Sequence, residues 1–139
     1  MLRLSVVTVC FAALCGCTHA ELYKSKSSGE TLTVCDAVKR IDVLRGKQIR
    51  VIGNARPTEE AIVLEDKACP QYQLPIVIPD NFKDRTAADD LISKVWATYL
   101  REHPDIYRLD VSGALLKHPD DVPAWELELN KIIDIKKLN

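Results

Sequence analysis

The side chains with chemistry to offer in this 139-residue sequence are five cysteines, three histidines and twenty carboxylates. Cys10, Cys15 and Cys17 crowd the N-terminus, whereas Cys35 and Cys69 stand apart. Neither of these two sits in a C-x-x-C motif, which disfavours a redox pair; a disulfide and two buried free thiols both remain open. His19, His103 and His118 have no second ligand four residues on, so none reads as a helical metal site. His118 with Asp120 and Asp121 makes at most a weak surface metal site, and Lys117-His-Pro-Asp-Asp equally suits a solvated turn. Glu59-Glu60, Asp89-Asp90 and Asp120-Asp121 are adjacent in sequence and read as solvated surface. There is no Gly-x-Ser-x-Gly, no phosphate-binding loop and no dinucleotide fingerprint. The sequence predicts no catalytic residue, no metal and no cofactor.

Composition narrows the class. Apolar residues are 47% and charged residues 28%, as in an ordinary globular domain. The length allows one domain. Nineteen basic against twenty acidic residues give a net charge of -1, which argues against a protein whose main task is gripping nucleic acid or an anionic membrane.

Residues 1–16 read as a secretory signal. Arg3 supplies the positive start, Leu4–Leu14 the apolar run and Cys15-Gly16 a small-residue exit. The run is shorter than the roughly 20 residues that a membrane-spanning helix needs. Leu14-Cys15-Gly16-Cys17 resembles the bacterial lipobox, with Cys15 a less usual occupant of the second place. The resemblance implies cleavage before Cys17 and acylation of that residue, which is a stable anchor. It also implies the outer membrane, because Thr18 stands where Asp would favour retention in the inner one. Cys35 and Cys69 are then the only thiols left, and an oxidising compartment makes a disulfide between them the expectation. Such a bond would close a loop of about 35 residues and contribute roughly 3–4 kcal/mol. Residues 17–31 are the lipidated Cys17 and a polar, aperiodic tether, and 32–139 are the domain.

The elements that must position any site follow from periodicity. Thr33 with Asp36 three residues on reads as an N-cap, and Val34, Val38 and Ile41 continue at helical spacing. Gly46 reads as a turn. Ile49, Val51, Gly53 and Ala55 alternate with polar residues, as a strand over 47–55 does. Ala61–Glu65 is a second strand. Leu74–Ile78 is a third, placed at an edge by Pro75 and Pro79. Ala88, Leu91, Ile92, Val95, Trp96 and Tyr99 share one face of a helix capped by Thr86 or Asp89 and ended at His103-Pro104. Tyr107–Leu115 and Trp125–Asn130 alternate again, and Ile132, Ile133 and Ile135 break the register, predicting a bulge near Lys131.

The fold predicted is mainly β with some α: a five-stranded OB-fold-like barrel of order β-β-β-α-β-β, preceded by a short helix. Ile49-Arg-Val-Ile-Gly53 and Leu109-Asp-Val-Ser-Gly113 share one pattern, with glycines that would ease the coiling of long strands. Val34-Cys-Asp-Ala-Val, Gly46-Lys-Gln-Ile-Arg-Val-Ile-Gly53 and Leu64-Glu-Asp-Lys-Ala-Cys-Pro70 resemble a group of small bacterial exported OB-fold proteins. That resemblance covers roughly residues 33–79 and implies the fold and the cysteine pair, but no activity. A secreted nuclease family also uses this barrel, with an acidic calcium site and flanking arginines. Arg50 and Arg56 near Glu59 and Glu60 are too thin a match to carry it. Nucleic-acid binding wants a basic groove with stacking aromatics, whereas Trp96 and Tyr99 read as core. The reading that results is a non-enzymatic, lipid-anchored module. It binds an envelope protein or small ligand through the loops Arg56–Glu60 and Lys117–Pro123. An envelope enzyme and an assembly factor are the alternatives.

Overall fold

The computed structural model describes residues 29–102, 104–117 and 125–138. Its elements in chain order are β1 (Thr31–Thr33), α1 (Val34–Lys39), α2 (Ile41–Leu44), β2 (Gln48–Pro57), β3 (Ile62–Glu65), β4 (Gln73–Val77), α3 (Arg85–Trp96), β5 (Ile106–Lys117) and β6 (Trp125–Leu138). Strands pair in the order β2-β3-β4-β6-β5, and β5 returns to β2, so five strands close a barrel. All contacts around the ring are antiparallel except β4 with β6. The protein is mostly β with a few short helices.

The barrel exists because alternation puts one apolar row inside. Val51, Leu64, Leu74, Leu109, Val111, Leu115, Leu127 and Leu129 are all buried in one core cluster. Each such side chain contributes roughly 1.5–3 kcal/mol by leaving water. Helix α3 adds Ala88, Leu91 and Val95 to the same cluster.

The two matching motifs run antiparallel and face each other: Ile49 pairs with Gly113, Val51 with Val111 and Gly53 with Leu109. Each glycine is thus opposite the bulky end of the other motif. Close approach explains both. A Cβ on Gly53 would lie 2.6 Å from Val34 Cγ2, and one on Gly113 would lie 2.2 Å from the carbonyl oxygen of Glu128. Gly46 has φ 69°, the left-handed conformation its turn requires.

Several expectations are corrected. Thr31, read as the end of the tether, belongs to β1, which runs parallel to β2 along Arg50–Ile52. The predicted first helix breaks at Arg40 into α1 and α2. Its cap is as expected: the Asp36 N–H donates to Thr33 Oγ1 at 3.1 Å. Strand β4 is not an edge, since it lies between β3 and β6. Pro75 pairs with Val63 of β3, and the β6 ladder begins only at Ile76, past the residue that lacks an N–H.

Helix α3 is capped two residues earlier than the nearer predicted cap, Thr86. Asp84 is its N-cap, accepting from the Ala87 N–H at 3.0 Å, rather than Thr86 or Asp89. It ends at Trp96, well before His103, which lies outside the described residues. Beyond it the chain tightens: Thr98, Tyr99 and Arg101 donate their N–H groups to carbonyls three residues back. Three residues per turn shift the phase. Thr98 therefore points inward, its hydroxyl donating to Val95 O at 2.7 Å, and Tyr99 is turned out to 38% exposure. Ile92, expected on the buried face, is 41% exposed at its margin.

The predicted bulge is present. The β5–β6 register slips twice, leaving Asn130 and Ile133 without partners on either side of Lys131 and Ile132. Beyond it β6 continues to Leu138, considerably past the predicted end.

Candidate functional site

Cys35 and Cys69 form the disulfide expected of them, with Cα atoms 5.9 Å apart. Cys35 is the second residue of α1 and Cys69 lies in the β3–β4 loop, where its N–H donates to Asp66 O. Both half-cystines are buried. Asp66 Oδ1 accepts from the Ala68 N–H at 2.9 Å, which holds the loop turn. Cys35, Asp66 and Cys69 are the one group of three metal-type ligands close together among the described residues. With both sulfurs in the bond, they have no thiolate to offer a metal. The bond's effect is structural: it ties the start of α1, directly after the strand that covers the β2 edge, to the β3–β4 loop.

That edge is shared. β1 covers β2 along Arg50–Ile52 and β3 along Asn54–Pro57, so Gly53 sits where one neighbour ends and the next begins. A cleft of about 360 Å³ opens there, lined by Thr31, Thr33, Asn54, Glu65, Asp66 and Arg108 among others. A second cleft of about 280 Å³ adjoins it and shares Asn54, Glu65 and Asp66. Its wall is apolar, with Ala55, Pro57, Pro70, Pro104 and Ile106.

The outer face of β2, β5 and β6 carries polar side chains in rows. In one row Ser112 Oγ donates to Asn130 Oδ1 at 2.7 Å, and Asn130 Nδ2 donates to Gln48 Oε1. The bulge brings this about, because an extra residue re-aims the side chain it carries. These three residues border a cleft of about 390 Å³ together with Arg50, Lys131, Ile133 and Gly29. In the next row Arg50 grips Asp110 with two hydrogen bonds, Nε to Oδ1 at 2.8 Å and Nη2 to Oδ2 at 2.6 Å. That bond raises the Arg50 pKa above its ordinary value, so the guanidinium stays charged. Asp110 stands directly opposite Asp134, and Arg108 directly opposite Lys136. Like charges placed so cost roughly 0.2–1 kcal/mol. Arg50 relieves the first pair. Among the described residues Arg108 and Lys136 make no ion pair.

The described parts of the two predicted binding loops are set apart. Arg56 and Pro57, read as loop, are the last residues of β2, so the first loop begins at Thr58, beyond the Ala55–Tyr107 pair, while Lys117 lies past the other end, where Gln48 pairs with Ala114. In the first loop Thr58 and Ala61 bond each other three ways, leaving Glu59 and Glu60 exposed. Arg56 does not face them; its Nε donates to Glu65 at 2.7 Å, which also accepts from Gln73. Lys117 lies 5.4 Å from the centre of the Trp125 ring. His118, Asp120 and Asp121, read as a solvated turn, the rest of that loop, and Cys17 with its tether through residue 28 lie outside the described residues. Trp96 packs partly against the core and meets Tyr99 edge to face at 5.5 Å.

Sequence reasoning missed Gln48, Ser112 and Asn130 as a unit. The available signal was the register break near Lys131, since a bulge often marks a re-aimed side chain. The chain matches no protein-family model and no curated protein.

Proposed function

We propose that this chain is an envelope lipoprotein, anchored through acylated Cys17 in the outer membrane. Its OB-fold domain binds an envelope protein or small ligand without catalysing a reaction. The observation that carries the reading is Leu14-Cys15-Gly16-Cys17 following an apolar run of signal length. The barrel supports it. A closed five-stranded barrel, with α3 between β4 and β5 and β4 beside β6 in parallel, suits an OB-fold reading. A disulfide suits an oxidising compartment. Ligands of such barrels contact loops and an outer face, and here that face carries the donor-rich cleft between the two loop regions. The net charge of -1 disfavours nucleic acid as the ligand. Mass spectrometry of the N-terminus is expected to find acylated Cys17; a soluble form beginning at Glu21 would overturn the reading. Micromolar, salt-sensitive affinity for an oligonucleotide would overturn the exclusion of nucleic acid.

A further inference from the structure

We infer that the outer face of β2, β5 and β6, from Arg50 to Lys136, is the surface by which the domain settles on anionic phospholipid headgroups. These are the headgroups of the bilayer that holds its N-terminus, so the inference rests on the proposed acylation of Cys17. The chain as a whole is net negative and gains no general attraction to such a surface. Around the bulge the balance turns positive. Arg50 is held by Asp110, and Arg108, Lys131 and Lys136 have no ion pair among the described residues, against Asp134 beside them and Glu128 farther along β6. Arg108 and Lys136 are direct cross-strand neighbours, an arrangement that an anion lying over both would turn from unfavourable to favourable. Phosphate oxygens are acceptors for both a guanidinium and an ammonium. Beside Lys131 the bulge exposes Ile133, an apolar side chain at the level where headgroups meet acyl chains.

The entry point of the chain agrees in direction. Gly29, the first described residue, borders the same cleft as Lys131 and Ile133. Eleven residues separate Gly29 from Cys17, a linker of roughly 20 Å average span. The chain that leads from Cys17 therefore enters the described fold beside the basic face. Tethering supplies lipid at high effective concentration, so the modest intrinsic affinity of this patch is enough to hold the anchored domain in one orientation. This separates the proposal from recruitment by net charge, which the composition disfavours.

The described fold begins at Gly29, so the chain from residue 17 carrying Cys17→Ser keeps it and has no acyl group. Titrated with vesicles containing phosphatidylglycerol, this chain is expected to co-sediment, and to be released by high salt. Vesicles of phosphatidylcholine alone are expected to leave it in solution. K131E/K136E is expected to lower the bound fraction at least about 20-fold, while L100D, at the exposed end of the α3 segment, leaves it unchanged. Circular dichroism checks that both variants are folded, and K131Q/K136Q serves as a milder second variant. No binding to the anionic vesicles, equal binding to both kinds, indifference to K131E/K136E, or equally tight binding to an oligonucleotide would each overturn the proposal. Because the chain tested has no acyl group, a missing lipid on native Cys17 would sink the anchoring reading and leave this result standing.

Discussion

The two Gly-ended motifs of β2 and β5 are alike in sequence and paired residue for residue, yet their glycines are required for different reasons. Gly53 is crowded by a side chain, Val34 Cγ2, at the seam where β1 gives way to β3. Gly113 is crowded by the backbone of Glu128 in the neighbouring strand. A side chain can change rotamer, whereas a ladder carbonyl moves only with its strand. The same residue in the same pattern thus marks a soft constraint at one place and a hard one at the other.

This difference can be broken or sharpened by measurement. The largest effect is expected for Gly113→Ala, which should cost about 4 kcal/mol or more in chemical denaturation, or prevent folding; a loss below that of Gly53→Ala would reverse the comparison. Next comes removal of the disulfide by C35S/C69S, expected to lower stability by roughly 3–4 kcal/mol. An unchanged midpoint would show that the bond constrains little. Gly53→Ala follows at about 1–3 kcal/mol, an overpacking cost. Combining it with C35S/C69S tests the cause. Val34 adjoins Cys35, so releasing the bond should let Val34 yield and reduce the Gly53→Ala cost, while the Gly113→Ala cost stays the same; strict additivity at both sites would remove the distinction. The smallest effect is expected for Arg50→Gln, which leaves Asp110 opposite Asp134 without its counter-charge. The loss should shrink with added salt, and a salt-independent loss would point to packing of the arginine stem instead.

How much of this was legible depends on whether the cause is local. The alternation in Ile49–Ala55 and Leu109–Leu115 fixes which side chains go inward, and the register break at Ile132–Ile133 marks the bulge, so both are visible in the chain. Thr33 and Asp36 announce their helix start within four residues. The strand Thr31–Thr33 has no such mark, because its cause is the bare edge of β2 along Arg50–Ile52. Pro75 misleads because the proline rule concerns hydrogen bonds on one side of a strand, and β4 meets β6 only beyond it. The inward turn of Thr98 depends on a tightening after Trp96 that periodicity at 3.6 residues does not contain. The polar row of the candidate site joins Gln48, Ser112 and Asn130 from three strands, and only pairing assembles it.

The placement of the disulfide also decides how the domain answers a mechanical load. A pull on the N-terminus acts first on β1, whose three residues are bound to β2 in parallel and can be unzipped or sheared from it. Unravelling would then run into α1, but Cys35 is its second residue and is covalently joined to the β3–β4 loop. Load is passed from there to Cys69 and onward into β4, bypassing the rest of α1, α2, β2 and β3. The stretch the force can extend before it meets the barrel is therefore confined to the residues ahead of Cys35. In the reduced protein the same pull would go on to peel both helices and strip β2 from β5.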